Sequence, residues 1–584
     1  MKKIISGNEA IAIGAYRANA SFASGYPGTP SSEILEYTKA FEDINVQWAS
    51  NEKSAFEQAL GASIAGRRSF VTMKHVGLNV AADSLMSSSY TGVNGGFVVV
   101  VADDPGMHSS QNEQDTRLFA RFAQVPILEP SDAKEAIGFM QYAFALSEEY
   151  DTPVILRSTT RVSHTQEVVN FDFHKLGGYE NKLIARDIRK YVLVPKNAIL
   201  RHKKLLDRNI ALQKLTNEIP LNKIDKGALN IGIITNGVSY LYAKELLPDA
   251  NYLKIGLSWP FPIELAKEFM KDLDKVILIE ELEPYMEEQL KIGGISLEGK
   301  KFFPQDGEFN LDIVEEGLVK ASFLKRSPKK YFEVPTNLPS RPPVLCPGCP
   351  HRSIFDILHS LRVYVTGDIG CYTLGAAEPL SSIHTTVCMG ASISMGYGLA
   401  KATQNHKVVS VIGDSTFLHT GLQPLIDAYV NNVAYTVIIL DNSITAMTGG
   451  QPDAASGFNI KSDKTPKVDL ETLIRSIGIK RVFKVDQYDY KTTKEIIEQE
   501  INTKELSVII ATRPCVLAPK KIKDEPYFVI ADKCVDCKRC LRIGCPAIGY
   551  KDNKAYIIKD SCTGCALCAN VCPTDAIVKG GANE

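Results

Sequence analysis

Neither sign of charge prevails in this chain. The 66 Lys and Arg stand against 67 Asp and Glu, so no global field exists to draw in nucleic acid or an anionic membrane. Long apolar runs are also missing: the longest, at 97–102 and 434–440, fall far short of the ~18 residues that a spanning helix needs. A secretory leader is not expected, because Asn8 and Glu9 interrupt the apolar stretch behind Lys2 and Lys3. There is no solenoid repeat and no low-complexity tract. What is present is ordinary folded composition, with 45% hydrophobic and 23% charged residues. At roughly 100–200 residues per domain, 584 residues imply about three to five domains. The expectation is a cytoplasmic protein with no membrane and no nucleic-acid partner.

A disulfide framework is excluded as well, because the 13 Cys are odd in number in a chain with no export signal, and cytosolic thiols stay reduced. They are clustered, which needs a cause, and metal is the better one. Near the C-terminus run Cys534-x2-Cys537-x2-Cys540-x4-Cys545-Pro546 and Cys562-x2-Cys565-x2-Cys568-x3-Cys572-Pro573. Both match the bacterial ferredoxin run, in which three close thiolates wrap one corner of a cubane and the distant fourth reaches the other cluster. Cys534, Cys537, Cys540 and Cys572 are therefore expected on one [4Fe-4S] cluster, and Cys562, Cys565, Cys568 and Cys545 on the other. Paired zinc knuckles are the minority alternative. The four-residue spacer before Cys545 is one residue longer than the pattern, a departure that bears on the geometry of the cluster using Cys545.

Along the chain, helical stretches alternate with short apolar runs at 69–73, 96–101 and 153–156, the rhythm of a parallel sheet covered by helices. Residues 166–227 are polar, Lys-rich and read as a connector. A second α/β unit begins at Asn230 and includes a strand at 275–279; the Pro-rich stretch 338–344 reads as a boundary. A third unit follows, with strands at 408–412, 436–440 and 507–511. Gly413-Asp414-Ser415 and Asp441-Asn442-Ser443 then fall at carboxyl ends of strands, where ligands bind in open parallel sheets. A carboxylate and an amide there can complete the oxygen octahedron of a Mg2+ held by a diphosphate. Two ordinary strand-end turns are the even alternative.

That pair of strings resembles the thiamine diphosphate motif, with Ser415 in place of its third Gly and Asp441 in place of its first Asn. Cys346-Pro-Gly-Cys349-Pro-His-Arg, Gly367-Asp-Ile-Gly370-Cys371, Met447-Thr-Gly-Gly-Gln451 and Pro514-Cys515-Val516 resemble the diphosphate-binding part of the 2-oxoacid:ferredoxin oxidoreductases. Tyr26-Pro-Gly-Thr29-Pro-Ser-Ser32 resembles their pyrimidine-binding part. The strings NEKSA, VTMKHVGLNVAADSL, HSSQNEQDTR, EELEPYMEEQ and RPPVLCPGCPHRSIF, in this order and with the two-cluster tail behind them, resemble the alpha subunits of the family's indolepyruvate-oxidising branch.

The resemblance implies a multidomain α/β architecture: a pyrimidine domain at 1–165, the connector at 166–227, a transketolase C-terminal-like domain at 228–335, a diphosphate and Mg2+ domain at 340–520, and a two-cluster ferredoxin-like α+β module at 525–584. It implies oxidation of arylpyruvates with coenzyme A to aryl-acetyl-CoA and CO2, with electrons passing to ferredoxin. Another 2-oxo acid, or a non-redox thiamine-dependent decarboxylase, is the alternative. It implies Glu52 against the aminopyrimidine nitrogen, where local physics prefers a solvated helix-start Glu beside Lys53. It further implies Asp414, Asn442 and the Ile444 carbonyl as Mg2+ ligands, Gly413, Ser415 and Gly370 at the cofactor, Leu374 as the hydrophobe beneath it, and Thr29 near the substrate. A third cluster on Cys346, Cys349, Cys371 and Cys515 is implied, whereas Cys388 matches no ligand motif.

Pyruvate-using relatives carry an Arg where this chain reads Ala102-Asp103-Asp104-Pro105, so the substrate carboxylate needs another anchor. Lys74, His75, His108 and Arg117 are candidates by chemistry. No segment is left over for the domain that helps bind coenzyme A, so a small beta subunit is expected, as alpha2beta2, with the pyrimidine and diphosphate parts meeting across a dimer interface. The tail 531–584 has eight Lys and Arg against six Asp and Glu, a weak excess suited to an acidic ferredoxin.

Overall fold

The computed structural model describes residues 2–177, 179–325, 337–339, 341–404, 407–518 and 524–580; the expected domain limits at 335, 340 and 520 lie outside the described residues. The chain divides into two compact units, residues 1–336 and 337–584. No helix among the described residues is long and apolar enough to cross a membrane.

In residues 1–336, a seven-stranded sheet runs in the order Leu257–Trp259, Ile127–Leu128, Val154–Thr159, Phe97–Asp103, Ser69–Lys74, Phe22–Gly25, Asn45–Trp48. All neighbours are parallel except the first pair. Every residue of Phe97–Asp103 is buried, as a central strand covered on both faces requires, and its sequence is accordingly apolar from Phe97 to Ala102, with four successive Val. Leu257–Trp259 enters this sheet from the second α/β region, whose own sheet orders Lys275–Ile279, Ile231–Asn236, Asn251–Ile255, Lys223–Asp225. The two regions share one core, in which Val99, Val101 and Ile155 pack with Ile234, Leu253 and Leu278.

The stretch expected to be a connector is more structured than its polar composition suggests. Gln166–Asn170 pairs antiparallel with Lys2–Ser6, and Pro195–Leu215 is a 21-residue helix. Its Lys residues face solvent, but it buries two Arg: Arg201 donates to the Tyr90 carbonyl (2.6 Å) and Asp151 (2.8 Å), and Arg208 to the carbonyls of Asp151 and Ser89 (3.0 Å each).

In residues 337–584, a five-stranded parallel sheet orders Tyr364–Thr366, Val408–Gly413, Thr436–Asp441, Ser507–Thr512, Arg481–Asp486. Side chains alternate between its faces, so Ile438 and Leu440 join one core while Val437 and Ile439 join the other. The tail forms two antiparallel ribbons, Tyr527–Val529 with Ile577–Lys579 and Ile548–Lys551 with Lys554–Ile557.

A buried ionic network crosses the shared core of residues 1–336. Arg117, fully buried, contacts Asp115 (2.5 Å) and Glu280 (2.8 Å) and donates to the carbonyls of Glu281 and Glu283. Arg157 contacts Asp103 (2.6 Å) and Glu129 (2.5 Å), and Asn236 donates to Glu129. Burial opposes the Arg117 charge, yet Asp115 and Glu280 hold its pKa well above the ordinary value. Arg117→Ala strands two buried carboxylates and is expected to cost about 3–5 kcal/mol; a thermal midpoint within a degree of wild type would show that water reaches the network.

Candidate active site

At the carboxyl end of Val408–Gly413, Asp414 is 2% exposed and faces the turn after the next strand. Its Oδ2 accepts from the backbone N–H groups of Asn442 (3.1 Å) and Ser443 (2.7 Å), and its Oδ1 from Ser415 N–H (2.8 Å). Asn442 Oδ1 accepts from Ile444 N–H (3.1 Å), and its amide nitrogen lies 3.3 Å from His351 Nε2. The Ser415 hydroxyl meets that of Thr445 at 2.9 Å. Gly370 and Gly413 both lie against the Tyr372 ring, which tolerates no Cβ at either position. The degenerate motif residues are thus neighbours in space.

Asp453, which carried no motif and lies two positions beyond Gln451, joins them. Burial, then the charges of Asp453 and Asp441, pushes Asp414 well above the usual carboxylate range; burial first, and Asp441, lift Asp453 to about 6. Asp453 Oδ2 is buried and has no hydrogen-bond partner. Carboxylates crowded in this way fit a divalent cation, whose charge inverts the local pKa logic.

Twelve of the 13 Cys line three cavities in residues 337–584, four to each. Cys534, Cys537, Cys540 and Cys572 surround one of about 400 Å³ empty volume. Cys545, Cys562, Cys565 and Cys568 surround one of about 380 Å³. Cys346, Cys349, Cys371 and Cys515 line a third of about 790 Å³, and Leu374, Asn442 and Ile444 line the same cavity. Burial pushes Cys349 up to about 12 and Cys371 to about 11, a shift that the positive charge of a metal would oppose. Cys388 is exposed and lines none of the three.

In residues 1–336, Glu52 opens helix Glu52–Ile64, whose cap Asn51 accepts from Ser54 N–H (2.8 Å). It is 6% exposed rather than solvated, and packs so tightly on Gly77 that a Cβ there would sit 2.7 Å from Glu52 Oε1. Lys53 instead turns outward to Glu57. The Thr29 carbonyl accepts from the Ser109 hydroxyl (3.3 Å), and Lys74 Nζ donates to the Ser109 carbonyl (2.7 Å) and hydroxyl (3.0 Å). Asp104, 3.7 Å from Lys74, also accepts from Ser109, Ser110 and Thr160. Against burial, these bonds and Lys74 hold Asp104 down at about 2.

The carboxylate-anchor candidates separate cleanly. Arg117 is consumed by the ionic network, a correction to its reading as an anchor, and His108 is half exposed and bonded to Glu308 (3.2 Å). Lys74 and His75 remain, both buried at the end of strand Ser69–Lys74; His75 Nδ1 has no hydrogen-bond partner.

Residues 13–208 match the family described as pyruvate flavodoxin/ferredoxin oxidoreductase, thiamine diphosphate-binding. Residues 368–511 match the C-terminal TPP binding domain of thiamine pyrophosphate enzymes, and 555–578 the 4Fe-4S binding domain. Proteins named indolepyruvate oxidoreductase subunit IorA match nearly end to end. That of Archaeoglobus fulgidus is 37% identical, covering 100% of this chain and 98% of its own. That of Methanothermobacter thermautotrophicus is 38% identical over 99% and 98%, and that of Thermococcus kodakarensis 40% over 98% and 96%.

Burial lowers Lys74 to about 8, with Asp104 opposing. Between pH 8 and its ordinary 10.5 the unfolded chain binds the proton that the folded protein has released, so this position's contribution to stability rises with pH across that window. Lys74→Met should flatten the rise in thermal midpoint from pH 8 to 10; an unchanged slope would mean that the ammonium is solvated.

Proposed function

The chain belongs to the indolepyruvate oxidoreductase subunit IorA family of thiamine diphosphate-dependent 2-oxoacid:ferredoxin oxidoreductases, and from that premise we propose that it oxidises arylpyruvates as the large subunit of an alpha2beta2 cytoplasmic enzyme. The reaction consumes an arylpyruvate and coenzyme A and yields aryl-acetyl-CoA, CO2, one proton and two electrons, which leave for ferredoxin. Indolepyruvate, phenylpyruvate and 4-hydroxyphenylpyruvate are the substrates this reading names. The observation that carries it is the single cavity shared by Cys346, Cys349, Cys371 and Cys515 with Leu374, Asn442 and Ile444. A non-redox decarboxylase has no use for four thiols beside its cofactor.

Bound thiamine diphosphate supplies the carbanion chemistry that loss of CO2 from a 2-oxo acid requires. The chain's own work is binding, orientation and proton handling. In this reading Asp414, Asn442 and the Ile444 carbonyl hold Mg2+ on the diphosphate, with Asp453 adding negative charge close by. Gly413, Ser415 and Gly370 would lie at the diphosphate, and Leu374, which lines the same cavity as Asn442 and Ile444, would give the cofactor an apolar support. Glu52, screened from water against Gly77, holds or accepts a proton at the pyrimidine nitrogen. Thr29 and Lys74 flank the substrate, Lys74 as the cation in place of the Arg that Ala102-Asp103-Asp104-Pro105 lacks. Coenzyme A binding falls to the beta subunit. Cys534, Cys537, Cys540 and Cys572 hold one [4Fe-4S] cluster, Cys562, Cys565, Cys568 and Cys545 a second, and Cys346, Cys349, Cys371 and Cys515 a third.

Viologen reduction by the complex with its beta subunit is expected to be fastest with indolepyruvate or phenylpyruvate and to need coenzyme A. Faster turnover of pyruvate or 2-oxoglutarate would overturn the substrate class, and turnover without electron release would overturn the oxidoreductase reading. Asp414→Ala should abolish Mg2+-dependent thiamine diphosphate binding by calorimetry, whereas Glu52→Gln should spare binding and lower kcat by at least 10²-fold. Equal loss of binding in both would refute the role given to Glu52.

A further inference from the structure

Arg352 occupies an unusual position in residues 337–584. It stands on the first turn of helix His351–Leu361, three positions past Cys349, and is 2% exposed. Its recorded hydrogen bonds all go to backbone carbonyls: Nε to Cys346 (3.2 Å), Nη1 to Ile543 (3.0 Å) and Gly544 (2.6 Å), and Nη2 to Leu345. It therefore grips the Cys346–Cys349 turn with one side of its fork and the spacer before Cys545 with the other. The same residue lines the cavity of Cys545, Cys562, Cys565 and Cys568.

Two further contacts brace this joint. Gly348, at φ +71°, lies so close to Thr563 that a Cβ would sit 2.0 Å from its hydroxyl, and the Gly348 carbonyl accepts from Tyr488 Oη (2.6 Å). Gly544, at φ +66°, leaves room for Pro379 and for Arg352 itself. The long spacer of Cys540-x4-Cys545 thus has a use: it presents two successive carbonyls, of Ile543 and Gly544, to one guanidinium.

A buried cation that meets only carbonyl dipoles is expensive unless an anion shares its surroundings. Cys346 and Cys545 each adjoin a carbonyl that Arg352 holds, and anionic clusters in the two cavities would supply the missing charge. Resting on the three-cluster reading above, we propose that Arg352 is a positioning residue that raises the reduction potentials of the two clusters beside it and fixes the joint across which each electron passes. One electron leaves the cluster of Cys346, Cys349, Cys371 and Cys515 and reduces that of Cys545, Cys562, Cys565 and Cys568; no bond or proton changes place. The cavity of Cys534, Cys537, Cys540 and Cys572 is lined only from within the tail and is untouched by Arg352, so it is the exit and an internal control.

The test is an EPR-monitored redox titration of the anaerobically purified complex, beside iron analysis. Wild type should hold about twelve Fe per chain; about eight, unchanged by Cys349→Ala, would sink the three-cluster reading itself. With twelve Fe present, Arg352→Gln should lower two of the three midpoint potentials by a tenfold or greater change in equilibrium, about 59 mV for one electron, and leave the third unmoved. Three unmoved potentials, or three that fall together, would overturn the assignment to Arg352. Should the Gln variant lose iron, Arg352→Lys decides: retained iron with wild-type potentials supports a role for the charge, and loss of iron there too reduces Arg352 to a structural clamp.

Discussion

A thiolate is tolerated inside an apolar cavity only when positive charge shares that space, and much of residues 337–584 is arranged around this constraint. Burial raises the thiols of Cys349, Cys371 and Cys568, so without metal they would sit as neutral, ordinary core side chains. The turn carrying Cys346 and Cys349, the short helix opening at Cys371 and the loop after strand Ser507–Thr512 carrying Cys515 arrive from three separate stretches of chain and line one cavity. Packing alone seldom gathers four small thiols from such remote positions.

Residues 1–336 solve the problem of buried charge differently, by pairing within the protein. Arg117 and Arg157 neutralise carboxylates that the strand ends Asp103 and Glu280 bring inward; Arg157 ties neighbouring strands of the seven-stranded sheet, while Arg117 to Glu280 and Asn236 to Glu129 reach across to the smaller one. Such pairs add little net stability beyond what well-packed apolar groups would give, but losing one partner is costly. The network therefore fixes the relation between two sheets whose loops carry the candidate substrate side. Lys74 and Asp104 are a smaller version of the same device, buried at the ends of neighbouring strands.

Much of this was legible in the sequence because it was periodic or spaced. The central strands stood out as continuous Val and Ile runs, and the two ferredoxin runs partition their eight Cys into the sets that line two cavities. The polar stretch 166–227 misled because its Arg look as solvated as its Lys, whereas Arg201 and Arg208 are buried on carbonyls from the last turn of helix Ala82–Thr91, more than a hundred positions away. Asp453 was invisible for a similar reason: nothing local distinguishes it, and only the fold brings it beside Asp414 and Asp441. Arg117 looked like an anion anchor from its chemistry, but its partner Glu280 is 163 positions away.

Glu52 and the spacer before Cys545 show what local rules leave out. A Glu at a helix start next to a Lys is ordinarily a solvated, dipole-complementing residue, and here the Lys alone behaves that way. Gly77 lies where any Cβ would expel the carboxyl, so the burial of Glu52 depends on a residue 25 positions later. In the tail, an extra residue that looked like degeneration of a motif is matched by Arg352, a residue outside that motif. Both departures are resolved by a partner that must be small in one case and cationic in the other. A motif's irregular position is thus most informative when read with the side chain that the fold sets against it.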